Sequence, residues 1–264
     1  MKRHLPFFFA LVLLLPGIPS CKGQFDTLLD TGTADQKYDA AFQYFNAGRY
    51  SRSAKLFESL ALLTGGTERD DTVQFYWGLS NYRARDFYTA ETNFERFLND
   101  FPASPFAGQA EFLHVNCLYK STLRYELDQT PTYKALTALN QYLAGHIDSI
   151  NADACRSMID DLEGRLDRKA YENAKLYYKM EDYKAARVAL RNVLKDDAEN
   201  RYREDILYYT AMSSYKFAAL SVSSKQKERF LVFTDDYLNF VGEYPESAYR
   251  KELDALYEKV KKKN

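Results

Sequence analysis

The feature that most constrains this chain is a spaced pattern of large and small residues. Its clearest form is Phe87, Ala90, Phe94 and Phe97: an aromatic, a small residue three positions on, another aromatic four after that, and a closing apolar residue. It recurs as Tyr50, Ser53, Phe57, Leu60; as Thr132, Ala135, Leu139, Tyr142; as Tyr183, Ala186, Leu190, Val193; and as Phe230, Phe233, Tyr237, Phe240. Steps of three and four residues are the helical period, and they place each set on one face of a helix. Upstream of each set lies a second helix with a small residue four positions before an aromatic. These pairs are Ala41 and Phe45, Gly78 and Tyr82, Ala174 and Tyr178, and Ala211 and Tyr215, with Val115 and Tyr119 departing from the pattern in the third unit.

Small residues let two helices approach closely and large ones fill the groove between neighbouring pairs. Each unit is therefore a helix hairpin that cannot bury its apolar face alone and must stack on the next. The first unit, with Ala34, Tyr38, Ala41, Tyr44 and Gly48-Arg49-Tyr50, resembles the tetratricopeptide (TPR) repeat. So does the second, with Gly78, Phe87, Ala90, Phe94 and Pro102. The expected fold is all-α, a right-handed superhelical solenoid of five TPR-like hairpins. Successive anchors at Tyr50, Phe87, Thr132, Tyr183 and Phe230 stand 37, 45, 51 and 47 residues apart, longer than the roughly 34-residue TPR period. The excess must be loop or extended helix, and 121–131, 148–168 and 221–229 are the candidate stretches. The charged run 160–169 reads as a long solvated helix joining the third and fourth units. It divides the expected solenoid into units 1–3 over 34–150 and a second part over 151–264, which holds the connecting helix, units 4 and 5 and a terminal capping helix.

The N-terminus carries a different signal. Lys2, Arg3 and His4 precede an uninterrupted apolar run from Phe7 to Leu15, broken by Pro16 and Gly17. That is the order of a signal peptide, and nine residues fall short of the roughly 20 a membrane-spanning helix needs. The run ends in Ile18-Pro19-Ser20-Cys21, similar to the bacterial lipobox, in which the cysteine becomes the lipidated N-terminus. The reading is a removed signal over 1–20, lipidation at Cys21 and a linker over 21–33. The alternative is an ordinary secretory cut that leaves a free thiol. Lys22 in place of an aspartate favours the outer membrane under the familiar sorting rule.

After removal of the signal the chain carries 34 basic and 37 acidic residues, so it lacks the basic footprint of a nucleic-acid binder. Cys117 and Cys155, far apart in a large chain, are not a disulfide framework and read as small buried residues. No catalytic residues, metal ligands or cofactor site are legible. His114 and His146 lie in no metal-binding spacing, and neither GxxxxGK[ST] nor GxGxxG occurs. The carboxylate pairs Asp70-Asp71, Asp160-Asp161, Asp196-Asp197 and Asp235-Asp236 are expected at helix starts and turns. The chain is expected not to be an enzyme.

Four details are narrower than a TPR count: the lipobox before five divergent units, the unit ends Phe97-Leu98-Asn99-Asp100-Phe101-Pro102-Ala103-Ser104 and Phe240-Val241-Gly242-Glu243-Tyr244-Pro245-Glu246-Ser247, and Leu127-Asp128-Gln129-Thr130 followed by Thr132-Tyr133-Lys134-Ala135-Leu136. Over roughly 36–260 the chain resembles the BamD family, TPR lipoproteins of the outer-membrane β-barrel assembly machine. The unit ends at Thr64-Gly65-Gly66-Thr67, His146-Ile147-Asp148-Ser149 and Asp197-Ala198 depart from its frequent aromatic-proline pair. The resemblance implies a lipid-anchored scaffold on the periplasmic face of the outer membrane. It also implies binding to the POTRA region of a BamA-like barrel protein and to unfolded β-barrel clients. The N-terminal repeats would receive an extended client segment and the C-terminal repeats would dock the barrel protein.

Projected hairpin geometry puts Tyr38, Phe42 and Asn46 of the first unit, with Phe75, Leu79 and Arg83 of the second, in a client-binding groove, Arg83 suiting a chain-terminal carboxylate. Packing or ordinary surface is the competing role for each. Leu253, Leu256, Tyr257 and Val260 form one stripe of an amphipathic terminal helix, read either as a cap on the last repeat or as a partner-docking surface. Two other classes stay open: a different envelope TPR adaptor, such as a coordinator of wall synthesis, and a glycan-binding TPR lipoprotein.

Overall fold

A computed structural model describes residues 23–262; the signal segment, Cys21 and Lys263 lie outside the described residues. Among those described, the chain forms twelve α-helices and no strand. The described residues divide into two compact units, 23–85 and 86–262.

The first unit contains α1 (Gln24–Thr31), α2 (Ala34–Asn46), α3 (Tyr50–Ala61) and α4 (Asp70–Arg83). Thr33 starts α2 with a capping box: its hydroxyl accepts from the Gln36 amide at 3.3 Å, and the Gln36 side chain accepts from the Thr33 amide at 3.0 Å, satisfying two otherwise orphaned donors. The helix ends in a Schellman turn. The Arg49 amide reaches the Tyr44 carbonyl at 2.8 Å and the Gly48 amide that of Phe45 at 3.0 Å. This requires the left-handed backbone that glycine adopts without penalty, and Gly48 has φ +71°. Helix α3 packs between α2 and α4. The small residues named in the repeat make the crossing: Ser53 and Ala41 are fully buried, the Ser53 hydroxyl bonds the Ala41 carbonyl at 3.0 Å, and it meets the Ser80 hydroxyl at 3.0 Å.

The second unit contains α5 (Phe87–Asp100), α6 (Ala107–Lys120), α7 (Thr130–Gly145), α8 (Ala152–Lys179), α9 (Tyr183–Asp196), α10 (Arg203–Ala219), α11 (Ser223–Glu243) and α12 (Arg250–Lys261). Each helix packs on the next, and α10 also touches α8 and α12. Asp86 and Asp182 cap α5 and α9 through side-chain bonds to the amides of Thr89 and Ala185 at 3.1 and 3.0 Å. The recurrent pattern supplies the core: Ala90, Phe94, Ala135, Leu139, Ala186, Leu190, Phe233 and Phe240 are all fully buried.

Helix α8 belongs to two cores at once. Its first half contributes Cys155, Met158 and Leu162 to a cluster with Val115, Leu118, Ala135, Leu139 and Tyr142. Its second half packs Tyr171 and Ala174 against Leu190 and Ile206. The charged middle of α8 was expected to be solvated, but it grips chain on two sides. Asp161 accepts from the Tyr119 hydroxyl at 3.0 Å, Arg165 donates to Thr122 at 2.9 Å, Lys169 donates to the Leu127 carbonyl, and Arg168 lies over the Tyr125 ring at 4.2 Å. On another side Arg201 donates to the Asp160 carboxylate and carbonyl at 2.8 and 2.6 Å. The expected loop at 121–131 is thus a fastened segment, and the excess at 221–229 is largely the start of the long α11.

Asp235 and Asp236 also depart from expectation, because they lie inside α11 rather than at a helix start. Arg187 of α9 clasps Asp236 through two bonds of 2.6 and 2.9 Å, and both bond Ser214 of α10. The pair is mostly buried, with 24% and 11% of the side chains exposed. Removing one partner strands the other charge, whereas replacing both by apolar residues does not. Asp236→Ala should lower stability in urea unfolding by about 2–3 kcal/mol, and Arg187→Met with Asp236→Leu should recover most of that loss.

Candidate functional site

The residues expected to face a groove are sorted by the packing of α4. A helix turns 100° per residue, so Phe75 and Tyr76 point to different sides. The side of α4 that meets α2 and α3 is Val73, Tyr76 and Trp77, which join the cluster of Ala41, Leu56, Phe57 and Leu60. Phe75 and Leu79 are 1% and 7% exposed; they are core residues, and the expected place for them in a groove is corrected by their burial. Tyr76 takes that place.

Tyr38, Phe42, Phe45 and Tyr76 form a continuous half-buried aromatic face across α2 and α4. Tyr38 and Phe42 have ring centroids 4.9 Å apart; Phe42 meets Tyr76 edge-on at 4.7 Å, and Phe45 meets it at 5.3 Å. Phe57 beneath them contacts Phe42 at 5.1 Å, so the face rests on the core and its rings are held in place. Edge-to-face packing of this kind stabilises each pair by roughly 0.5–1.5 kcal/mol beyond area burial. One end is closed by Arg69, whose guanidinium lies 4.8 Å over the Tyr38 ring and bonds Asp35 at 2.7 Å. The Asp35 carboxylate holds the Arg69 pKa above its ordinary value. Asn46 is exposed one turn beyond Phe42, and Arg83 is exposed in the last turn of α4. Of the six expected residues, the structure therefore brings Tyr38 and Phe42 together, leaves Asn46 and Arg83 at the surface, and buries Phe75 and Leu79. Tyr76 was missed because α4 is apolar on several sides, and spacing alone did not say which side meets α2.

This helix-hairpin chain matches, over residues 30–231, the model of the YfiO family, described as an outer membrane lipoprotein. The chain belongs to that family. No curated protein matches it. Solved structures that match include the one described as the TPR2AB-domain:pHSP90-complex of yeast Sti1, 14% identical, with 86% of this chain and 98% of that one covered and a TM-score of 0.38.

At the C-terminal end of this outer membrane lipoprotein, α12 is fastened by its stripe. Leu253 and Val260 are buried in one cluster with Phe230, Phe233, Tyr237 and Phe240, while Leu256 and Tyr257 pack at its edge. Tyr257 stacks on Tyr237 at 4.4 Å. Three phenols donate to carboxylates across the helices: Tyr208 to Glu252 at 2.8 Å, Tyr249 to Asp205 at 2.8 Å, and Tyr237 to Asp254 at 2.7 Å. The Asp205 bond and burial push the Tyr249 pKa up to about 12, and burial with Asp254 does the same for Tyr237, so both remain protonated donors at neutral pH. Of the residues offered as a docking stripe, Leu253 and Val260 are buried and so closed to a partner, while Leu256 and Tyr257 stay partly exposed. Exposed apolar side chains of the second unit lie elsewhere: Ile147 and Ile150 before α8, and a group at the turns after α8 and α10. Met180, Leu220 and Val222 are each about two-thirds or more exposed and line a recess of about 620 Å³ with Phe217 and Arg229.

The two remaining cysteines are free and buried, and burial pushes the Cys117 thiol up to about 12. No helix among the described residues is long and apolar enough to cross a membrane. The burial contrast on α4 is testable by thermal unfolding: Phe75→Ala should lower stability by about 3–5 kcal/mol, while Tyr38→Ala on the half-buried face should cost less than about 2 kcal/mol.

Proposed function

We propose that this chain is a non-enzymatic accessory lipoprotein of an outer-membrane β-barrel assembly machine, anchored through lipidated Cys21 on the periplasmic face. Its first unit receives an extended segment of an unfolded β-barrel client, and its second unit docks the POTRA region of a BamA-like barrel protein. The observation that carries the reading is the preformed aromatic face of Tyr38, Phe42, Phe45 and Tyr76 in a member of an outer membrane lipoprotein family. Barrel strands alternate apolar and polar residues. An extended strand laid along α2 and α4 places alternate side chains against fixed rings, and Arg83 offers a charge-assisted bond to a chain-terminal carboxylate. Rigid aromatics lose little entropy on binding, one reason tyrosine recurs as an anchor of recognition surfaces. The exposed apolar patch at Met180, Leu220 and Val222 is of the kind that marks a protein-interaction surface, and it supplies the proposed place for the barrel protein.

Two measurements test the two halves of the reading. Tyr38→Ala combined with Arg83→Gln should weaken binding of a peptide from a barrel protein's C-terminus by roughly thirtyfold, read by fluorescence anisotropy; unchanged affinity sinks the client site. The lipidated protein, purified by a C-terminal tag from gently solubilised outer membranes, should bring down a POTRA-bearing barrel protein in near-equal amount. Wall-synthesis or glycan-uptake proteins in its place would replace the assembly reading with another adaptor role.

A further inference from the structure

The charges of the first unit are segregated by end. Residues 40–57 and 72–85 contain no aspartate or glutamate, yet carry Arg49, Arg52, Lys55, Arg83 and Arg85, all exposed. These residues gather around the turn between α2 and α3 and the close of α4. Arg49 occupies the N-cap position of α3, where α5 and α9 have aspartates. The carboxylates Asp30, Asp35, Asp39, Glu58, Glu68, Asp70 and Asp71 lie toward the other end of the same helices, while Asp26 and Asp86, which directly follows Arg85, are acidic residues at the basic end.

The start of α1 is fixed at this basic end. Phe25 meets Tyr44 edge-on at 5.5 Å, and Arg52 lies over both rings at 5.3 and 5.7 Å. Two recesses open beside it. One, of about 630 Å³, is lined by residues 48–52 and Ala84; the other, of about 480 Å³, includes Gln24, Leu28, Tyr44 and Arg49. Cys21 precedes Gln24 by three residues, and three residues span at most about 11 Å. A lipid on Cys21 therefore holds the start of α1, at the arginine-rich end, within about 11 Å of a bilayer surface, a distance comparable with the Debye length of about 8 Å at physiological salt.

We infer that this end of the first unit is a binding surface for anionic phospholipid headgroups, which sets the face that the lipoprotein turns toward its membrane. The inference rests on the lipidation of Cys21 as to why the end lies near a bilayer. Acyl chains supply attachment without orientation; a patch of basic side chains at the tether point supplies orientation, as in two-signal membrane attachment. The chain as a whole is slightly acidic, so attraction to an anionic surface must come from a local patch.

The test uses the mature chain, residues 21–264, carrying Cys21→Ser so that no acyl chain contributes. It is sedimented with phosphatidylcholine vesicles and with vesicles containing phosphatidylglycerol as well. The expected result is binding to the anionic vesicles alone, weakened by salt. Neutralising three arginines as Arg49→Gln, Arg83→Gln and Arg85→Gly should reduce that binding on the order of a hundredfold, each basic group contributing roughly fivefold. Arg52 is left in place because it packs on Phe25 and Tyr44, and glycine at 85 suits the left-handed φ of +66° there. Circular dichroism confirms that the variant is folded. A second variant removes equal charge from α12, as Lys251→Gln, Lys259→Gln and Lys261→Gln, and should bind as the parent does. Absence of binding to anionic vesicles, as expected if the patch serves an acidic protein segment, overturns the inference. Equal losses in both variants also overturn it. Neither outcome bears on lipidation of Cys21, which is read separately from the mass of the N-terminal peptide of membrane-isolated protein.

Discussion

Everything in this structure follows from one constraint: a two-helix hairpin has more apolar surface than it can bury by itself. The chain meets it with small residues at the crossings. Ala41 and Ser53 let α2 and α3 approach until a serine hydroxyl reaches a helix carbonyl, and Ala135 and Ala186 occupy the matching positions in α7 and α9. The large residues one turn on, Phe57, Leu139 and Leu190, then fill the space against the next helix. Because stability in such an array comes from neighbour interfaces, a helix shared between two interfaces is structurally central. Helix α8 is one such element in the second unit, with one half in each of two cores, and α10 is another.

The same constraint explains what the sequence made legible. Buried positions repeat at helical spacing, so the anchors Ala90, Phe94, Leu139, Leu190 and Phe240 and the placement of hairpin turns could be read directly. Polar partners do not repeat. Nothing in the local pattern of Asp235-Asp236 shows that Arg187, some fifty residues away, will clasp the second of them. Nor does the charged run of α8 announce that it will hold the carbonyls and rings of the 121–129 segment. Periodicity tells which residues share a face, not which neighbour that face meets. Tyr38 and Phe42 were therefore legible as one face of α2, while on α4 the neighbouring choice between Phe75 and Tyr76 depended on a helix rotation that only packing determines. The terminal stripe was legible as apolar, and Leu253 and Val260 are buried in one cluster with Phe240.

The two units of this lipoprotein differ in surface character. The first unit offers rings that are half exposed yet anchored on Phe57, a surface prepared for binding with little further ordering. The second unit ties several of its tyrosines into stacked pairs and carboxylate bonds, as where Tyr208 stacks on Tyr249 while the two donate to Glu252 and Asp205, and leaves aliphatic residues exposed at its turns. The proposed assignment of an extended client to the first and a folded partner to the second follows that contrast.

The most direct test of this division is site-specific photocrosslinking in living cells. A photoreactive residue at Asn46, exposed beside the aromatic face, and another at Leu220, in the apolar patch of the second unit, would be compared. The account predicts crosslinks from position 46 to many newly made β-barrel proteins and from position 220 to a single POTRA-bearing barrel protein. The same partner at both positions, or no barrel protein at position 46, would contradict it.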